Sequence, residues 1–324
     1  MTDSDSVKQL FHQGTDRSLV ILFVQGEDSR EYLQRMVSCD VRKATPEQGC
    51  RGTLLDGKGR ILAAFDLLEI SGGYLMVTSE IESGVLKSRL ESLVILEDVT
   101  IQVGRYHWFH LHGEGAENGA QQLGWQSKDS FLSANCREDL VLVKRPRFHP
   151  QGFDILVKED RKDEFLNQIS EMAEEASEAD REKGRILLGL PKTGAEIGPR
   201  TLPPEVGYED AVAYDKGCYA GQEVLARIRT YGHVNREIRR VELVGNNSSG
   251  KQPEVGDELW PATGAEKPVG QITSVTKTDE GWAAIASIRY RYLSQSTEGD
   301  ALIWNPGGEP ELQGHLKPVF STQI

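Results

Sequence analysis

The sequence predicts an α+β fold that ends in a small antiparallel β-barrel. Strand-like runs and amphipathic helical patterns alternate over the first 235 residues, whereas the remainder shows only short strands separated by Gly, Pro and polar turns. At 324 residues the chain is long enough for two or three domains, each with its own core. We therefore expect an α+β region over residues 1–235 and a β-barrel domain over residues 236–324.

The N-terminal region opens with a strand-turn-helix unit. An apolar run over 19–24 predicts a strand, and the spacing of Tyr32, Leu33 and Met36 predicts a helix directly after it. Later apolar or alternating runs predict further strands at 50–55, 60–70, 74–78, 99–103, 107–112, 140–144 and 152–157.

Two helical stretches interrupt these strands. The spacing of apolar residues predicts an amphipathic helix over 84–96 and a highly charged helix over 160–185. In the second stretch Phe165, Ile169 and Met172 follow the helical repeat, and the opposite face is strongly acidic. We interpret that acidic run as a solvated helix face.

The charge balance disfavours general binding to nucleic acid. The chain has 37 Lys and Arg against 50 Asp and Glu, a formal net charge of -13, whereas binding to phosphate backbones requires a basic surface. The stretch from Arg227 to Arg240 nevertheless holds five arginines. Direct nucleic-acid binding is thus not expected, but a module that binds a specific RNA through these arginines stays open as an alternative.

The termini and apolar runs predict a cytoplasmic protein. Residues 1–14 are charged and lack the apolar core of a secretory signal. No run approaches the roughly 18 apolar residues that a membrane-spanning helix needs. We therefore expect no membrane partner.

Neither the cysteines nor the histidines follow the spacing of a metal site. His107, His110 and His112 mix steps of two and three, with no acid or cysteine in step. The cysteines are scattered without a C-x-x-C pair, so in the reducing cytosol we expect free thiols at Cys39, Cys50, Cys136 and Cys218.

The segment most informative about chemistry reads D-K-G-C-Y-A-G-Q-E-V-L-A-R, over 215–227. Gly217 and Gly221 give the backbone freedom on both sides of Cys218, and good helix formers follow. Cys218 would lie just ahead of a helix or in its first turn, where the helix dipole and Lys216 favour a thiolate. Two interpretations stay open here: a nucleophile or soft metal ligand, or a small buried apolar residue.

The same segment carries a family resemblance. The string K-G-C-Y-A-G-Q-E, followed by V-L-A-R, closely resembles the signature of the YgfZ family, the folate-binding relatives of the glycine-cleavage T-protein, an aminomethyltransferase. Other similar segments occur in the same order along nearly the whole chain, at 26–41, 54–62, 185–197, 202–207 and 269–274. The resemblance marks Cys218 as the reactive thiol of a motif that also contains Lys216, Gly217, Tyr219, Gly221, Gln222 and Glu223.

This resemblance implies a fold, a ligand and a role. The fold would be T-protein-like, with α+β domains around a central folate-sized cavity and a C-terminal β-barrel. The ligand would be tetrahydrofolate or a one-carbon derivative. The role would be assembly or maintenance of iron-sulfur enzymes, including those that thiolate tRNA.

The chain departs from the aminomethyltransferases where those enzymes carry catalytic acids. Ala63 and Ala64 occupy the positions that align with an acidic pair, and Leu187 replaces a carboxylate that the enzymes tend to have. A methyl group cannot relay a proton, so the general acid/base function is lost there. Asp66 would share a strand face with Ala64, which leaves rescue by a displaced acid as an alternative.

Folate recognition requires a slot for the pterin, a carboxylate for its N–H donors and a cation for its glutamate tail. Family-like segments offer four residues for these roles: Arg185, Glu196, Glu205 and Tyr208. The alternatives are that Arg185 and Glu196 pair with each other at the surface and that Tyr208 belongs to a core.

The resemblance thus implies a folate-binding accessory protein for iron-sulfur client enzymes, with Cys218 as the reactive or cluster-contacting residue. The main alternative is a folate-dependent aminomethyl or methyl transferase, or a demethylase.

Overall fold

The computed structural model describes residues 10–13, 19–126, 130–245, 251–262, 267–295, 301–304, 312–317 and 319. In these residues the helices are α1 (Ser29–Met36), α2 (Glu80–Glu91), α3 (Ala116–Gln122), α4 (Lys162–Met172), α5 (Glu178–Leu188), α6 (Gln222–Tyr231) and α7 (Tyr290–Leu293). Short 3-10 turns are formed by Val41–Lys43, Glu159–Arg161, Pro203–Val206 and Glu209–Ala211.

The strands alternate with these helices up to α5 and then dominate. They are β1 (Leu10–Gln13), β2 (Leu19–Gln25), β3 (Cys50–Leu55), β4 (Ile61–Ile70), β5 (Gly73–Ser79), β6 (Thr100–Val103), β7 (Tyr106–His112), β8 (Ala134–Cys136), β9 (Leu140–Lys144), β10 (Gly152–Lys158), β11 (Glu174–Glu175), β12 (Arg236–Val244), β13 (Glu258–Pro261), β14 (Gly270–Lys277), β15 (Trp282–Arg289), β16 (Ala301–Trp304) and β17 (Leu312–Lys317).

The chain forms two compact units that do not follow chain order. The first unit comprises the residues up to Ser177 together with Asp210–Gln222, and the second comprises Glu178–Glu209 and the residues from Glu223 onward. The first barrel strand begins at Arg236, where the sequence places the start of a C-terminal domain. The division into domains at residue 235 stays a prediction.

The first unit contains two sheets, each covered by helices on one face. One sheet has the strand order β3-β4-β5-β2-β6 and the other the order β11-β1-β7-β10-β9-β8. Leu68 and Val77 of the first sheet pack with Trp108 and Leu156 of the second in one apolar cluster. Because alternate residues of a strand point to opposite faces, the other faces bury separate cores.

Helices cover these outer faces. Leu33 of α1 and Leu86 of α2 pack against the first sheet, and Ala120 of α3 and Phe165 of α4 pack against the second. The order of layers is therefore helix, sheet, sheet, helix.

The barrel of the second unit is closed and antiparallel. Its strand order is β12-β15-β14-β13-β16-β17. Inward-facing aliphatic residues such as Val241, Ile272 and Ile288 alternate with outward-facing positions, and Trp304 is the largest buried side chain of the core. Closure pairs the edge strands that a short sheet would otherwise expose.

The strand predictions match the structure within a few residues, but two helix predictions are wrong in their bounds. The helix predicted at 84–96 is Glu80–Glu91, because the chain turns away after Ser92. The stretch predicted as one helix at 160–185 is two helices, because Ala173 is extended and Glu174–Glu175 pairs in parallel with β1. Within the residues described, no helix is both long and apolar enough to cross a membrane.

Candidate functional site

The segment that leads into the Cys218 motif is bonded to the loop after α1. The Ser38 hydroxyl donates to the Ala211 carbonyl at 2.5 Å, and the Ala213 N–H donates to the Ser38 carbonyl at 2.8 Å. Ser38 is itself buried and accepts a hydrogen bond from the Thr53 N–H at 2.9 Å. Residues more than 170 positions apart are thus joined through one serine.

Lys216 makes a second connection to the same loop. Its ammonium donates to the carbonyl oxygens of Val37 at 2.7 Å and Cys39 at 2.5 Å. Burial lowers the pKa of Lys216, and neighbouring Cys39 and Asp40 oppose that effect. Its hydrogen bonds go to main-chain oxygens, so the side chain anchors the motif to this loop. Support of a Cys218 thiolate by Lys216 stays a prediction.

Gly221 lets the motif approach the turn between β3 and β4. Its φ is +80°, and a Cβ built on it would lie 2.6 Å from Gly59 Cα and 2.7 Å from the Asp56 carbonyl oxygen. The turn is rigid because the Asp56 carboxylate accepts hydrogen bonds from the N–H groups of Lys58 at 2.8 Å and Arg60 at 2.9 Å. Two family-like segments, 54–62 and 216–223, are thus in direct backbone contact, which only glycine permits at this position.

The remaining motif residues shape the loop and leave the thiol in solvent. The buried Tyr219 donates its hydroxyl to the Ala213 carbonyl at 2.8 Å, and the Gln222 amide donates to the Lys216 carbonyl at 3.3 Å. Cys218 is exposed and lies four residues before α6 begins at Gln222. The interpretation of Cys218 as a small buried apolar residue is therefore wrong.

The last two motif positions face outward. Glu223 is exposed and pairs with Arg227 one helical turn on, at 3.0 Å. Gly217 is exposed, and a Cβ on it would meet nothing within 4 Å. These positions leave room around Cys218 rather than fixing it.

A pair of cysteines, Cys39 and Cys50, lies beside the Lys216 anchor, although no pattern in the sequence predicts this pair. A hydrogen bond to Cys39, together with burial, raises the pKa of the Cys50 thiol well above its usual range. A Cβ on Gly52 would lie 2.6 Å from Cys39 Sγ, so this glycine makes room for the sulfur. The 10 residues between the two cysteines match no familiar spacing, so only the folded chain reveals their proximity.

A buried charged cluster fills one end of the layer between the two sheets of the first unit. Asp66 accepts a hydrogen bond from Arg145 Nε at 2.6 Å, and Asp154 accepts from Arg147 Nη2 at 2.6 Å and lies 2.8 Å from His110 Nδ1. Burial lowers the pKa of His110 more than Asp154 raises it. Burial would raise the pKa of Asp154, but Arg147 and His110 outweigh it and hold that pKa well below its usual range.

This cluster bears on the positions of the missing acids. Ala63 is fully buried in the core beneath α1 and α2, whereas Ala64 shares a face of β4 with Asp66. Asp66 is already paired with arginines, and Arg51 beside it reaches Asp210 at 3.6 Å. The carboxylate considered as a displaced catalytic acid thus serves a buried ion-pair network.

Two histidines of β7 lie close together inside the first unit. His110 and His112 are buried, with ring centroids 5.4 Å apart. Among the residues that the structure describes, no three or more His, Cys, Asp or Glu side chains are grouped in a way that would hold a metal ion.

In the second unit, Arg185 and Glu196 form a buried ion pair at 3.1 Å. The expected alternative of mutual pairing is therefore found, although both side chains are buried rather than at the surface. Ser274 lies between them, since its hydroxyl accepts from Arg185 Nη2 at 2.7 Å and donates to Glu196 Oε1 at 2.7 Å. We call these three residues the Arg185 knot.

The hydrogen-bonding capacity of the Arg185 knot is used internally. The five N–H donors of Arg185 match five bonds, to Glu182 twice, to the Leu190 carbonyl, to Glu196 and to Ser274. Glu196 also accepts from the Lys192 N–H at 3.0 Å. Assignment of Arg185 and Glu196 as folate ligands stays a prediction, and it requires that folate displace one of these bonds.

Glu205 and Tyr208 lie in and just after a 3-10 turn of the second unit. Glu205 accepts from the Leu202 N–H at 2.8 Å, and burial raises its pKa more than this bond and Arg236 lower it. Tyr208 is buried, as expected for a core residue or for one wall of a slot. Assignment of Glu205 and Tyr208 as folate ligands stays a prediction.

Curated relatives agree with the sequence resemblance. Proteins named "tRNA-modifying protein YgfZ" are 24% identical over 276 residues in Aliivibrio fischeri (strain MJ11), covering 84% of this chain and 83% of the relative, and 26% identical in Colwellia psychrerythraea, covering 82% and 81%. The chain is thus similar to proteins of the YgfZ family over most of its length. No family model matches it. A third YgfZ-family relative, from Shigella dysenteriae, is 21% identical and covers 86% of the chain.

The fold is confirmed independently. The glycine cleavage aminomethyltransferase T of Bartonella henselae superposes with a TM-score of 0.81 over 98% of this chain and 87% of that protein, at 16% identity. This chain therefore has the T-protein-like α+β fold with a closed barrel that the sequence predicts. The central cavity and its folate stay predictions.

Proposed function

We propose that the chain is a folate-binding accessory protein for iron-sulfur enzymes, including tRNA-thiolating enzymes, and that Cys218 is its working group. The observation that carries the proposal is the motif loop: Ser38, Lys216 and Gly221 hold it against two other family-like segments while Cys218 stays exposed. Such a loop presents one thiol in a defined place. The relatives' name, tRNA-modifying protein, supports a role connected with tRNA modification.

The ligand is proposed to be tetrahydrofolate or a one-carbon derivative. Support comes from the T-protein-like fold and from the desolvated Glu205 carboxylate, with Tyr208 close by in sequence. We propose Glu205 as acceptor for pterin N–H groups and Tyr208 as part of the pterin slot.

Loss of the ancestral transfer chemistry is part of the proposal. Ala63 and Ala64 carry no ionisable group, and Asp66 is bound to Arg145 at 2.6 Å. Asp66 is thus engaged in an ion pair, and the two alanines offer no group that could transfer a proton to a folate nitrogen. We therefore favour binding without aminomethyl or methyl transfer.

An RNA-binding role for the arginines after Glu223 is disfavoured by their partners. Arg227 pairs with Glu223, Arg239 with Glu237, and Arg240 with Glu242. Paired arginines add little net positive charge to a surface. Salt-sensitive tRNA binding that is lost in the Arg227→Ala, Arg229→Ala and Arg236→Ala triple variant would restore this alternative.

The direct test is calorimetric titration of the full chain with tetrahydrofolate under reducing conditions. We expect saturable binding and a rise in Tm by mass action, about 2.7 kcal/mol of stabilisation at a hundredfold excess over Kd. Glu205→Gln should weaken binding, and the matched exposed variant Glu223→Gln should not. Absence of binding would refute the folate proposal, and turnover of a methylated or aminomethylated donor with tetrahydrofolate would establish the transferase instead.

A further inference from the structure

An exposed apolar surface lies on the first unit, on and after α2. Ile95 and Leu96 are 82% and 94% exposed, and Ile81 is 71% exposed. Val85 follows Ile81 by one helical turn and is also exposed, as is Leu93. Single exposed aliphatic residues are ordinary, but here five occur within 16 positions of the sequence. We call these five residues the apolar strip.

The tip of this strip is held rigidly. The Glu97 carboxylate accepts hydrogen bonds from the N–H groups of Ile95 at 3.0 Å and Leu96 at 3.1 Å. Arg35 Nη2 holds the same carboxylate at 2.6 Å. Two adjacent aliphatic side chains are therefore presented in a fixed geometry, which lowers the entropy cost of binding.

The base of the tip is fixed as well. The Asp98 N–H donates to the Asp28 carboxylate at 2.8 Å, and the Glu27 N–H donates to the Asp98 carboxylate at 3.1 Å. Gly26 has φ +119°, and a Cβ there would lie 1.9 Å from the Asp98 carbonyl oxygen, so only glycine allows this contact. These contacts hold the turn in one conformation.

The rim of the tip is acidic. Asp28 and Asp98 bind backbone N–H groups rather than cations, and Glu27 beside them is exposed. A partner with Lys or Arg around an apolar pocket would be complementary to these acidic side chains. A second copy of this chain would meet the tip with the same acidic rim and a net charge of -13, which opposes self-association.

We propose that the turn Val94–Asp98 docks into an apolar pocket with a basic rim on a different protein, with Ile95 and Leu96 as the inserted side chains. The strip along α2, with Ile81 and Val85, extends the contact. This inference does not depend on folate binding or on Cys218, so it can fail while the proposed function stands.

The test uses site-specific photo-crosslinking of the full chain in cells. Benzoylphenylalanine at Leu96 should give an adduct with one other protein, and the same group at the exposed Val255 of the second unit should not. The captured protein is then purified, and its affinity for the full chain is measured by calorimetry. Ile95→Ser with Leu96→Ser should weaken that affinity about tenfold or more, and Val255→Ser should not change it.

Two further results decide the matter. Raising the salt concentration from 50 to 500 mM should weaken binding of the wild type, because complementary charges are screened. Both serine variants should unfold at the wild-type denaturant midpoint, because the replaced side chains are exposed. Adducts only between copies of this chain, no adduct at position 96, or an affinity unchanged by the double variant would each overturn the proposal.

Discussion

The Cys218 loop of the first unit and the Arg185 knot of the second are held by similar polar contacts, but these contacts have different consequences for the side chains. Both join family-like segments that are far apart in sequence through polar contacts. In the loop, those contacts fix the backbone and leave Cys218 in solvent. In the knot, they consume the charged groups themselves. Similar polar contacts thus hold both motifs in place. The contacts leave the Cys218 side chain accessible in the loop, whereas they occupy the Arg185 and Glu196 side chains in the knot.

The largest expected effect would come from breaking the knot. Glu196→Ala leaves the Arg185 guanidinium buried without its carboxylate, so we expect the free energy of unfolding to fall by about 3–5 kcal/mol. Urea denaturation measures the loss, and the exposed Glu223→Ala should stay within about 0.5 kcal/mol of wild type. A loss below about 1 kcal/mol would show that the knot is not a structural element.

A smaller effect is expected from displacing the loop. Gly221→Ala puts a Cβ against Gly59 and strains a positive φ, so it should cost about 1–3 kcal/mol and move Cys218. Gly217→Ala is the matched control in the same motif, because its Cβ would meet nothing within 4 Å. Equal stability and equal cellular function of the two variants would contradict the role assigned to Gly221.

The buried His110 makes the stability of the first unit, to which it belongs, depend on pH. Because its folded pKa is lowered, the unfolded chain binds more protons, so stability is present above about pH 6.5 and is lost as the pH falls below it. We expect about 1 kcal/mol of loss per pH unit there. His107, whose pKa burial and Lys162 also lower, contributes in the same direction.

Denaturation at several pH values checks this dependence. His110→Gln should flatten the slope below pH 6.5, while the exposed His233→Gln should leave it unchanged. Asp154 acts in the same sense only at lower pH, because its pKa lies well below the usual range. An unaltered slope in His110→Gln would remove His110 from this account.

The smallest effect on stability is expected at Cys218 itself. Iodoacetamide at pH 8 should modify Cys218 before the other thiols, because Cys218 is exposed. Burial raises the pKa of Cys136 to about 12, and a hydrogen bond to Cys39 together with burial raises the pKa of Cys50 well above its usual range. Peptide mapping identifies the modified residue, and denaturation of the product should match wild type within about 0.5 kcal/mol. Faster labelling of Cys136 would contradict the exposure of the loop.

Local patterns in the sequence predicted most of the fold. Strands such as Leu140–Lys144 have the predicted bounds, because the local run of apolar residues is enough to identify a buried strand. The split between α4 and α5 was missed, because the pairing of Glu174 with Leu10 depends on a strand more than 160 residues away. Helical periodicity cannot register such a contact.

The sequence predicted the members of the candidate motif, but not the contacts that these residues make. The motif string identified Cys218, Lys216 and Gly221, whereas the anchoring of Lys216 to main-chain oxygens requires the loop after α1 to be in place. The same limit applies to Arg185 and Glu196, whose partner Ser274 lies 89 residues beyond Arg185. A charge written in a sequence shows which bonds a residue can make, and the fold decides which of them are already made.

The most direct test of the account replaces Cys218 by alanine in cells that otherwise lack this chain. The account predicts a folded protein with wild-type stability and unchanged tetrahydrofolate affinity, together with loss of thiolated tRNA nucleosides as measured by mass spectrometry. Cys136→Ala serves as the control and should retain them. Full levels of thiolated nucleosides with Cys218→Ala would contradict the claim that this exposed thiol is the working group of the protein.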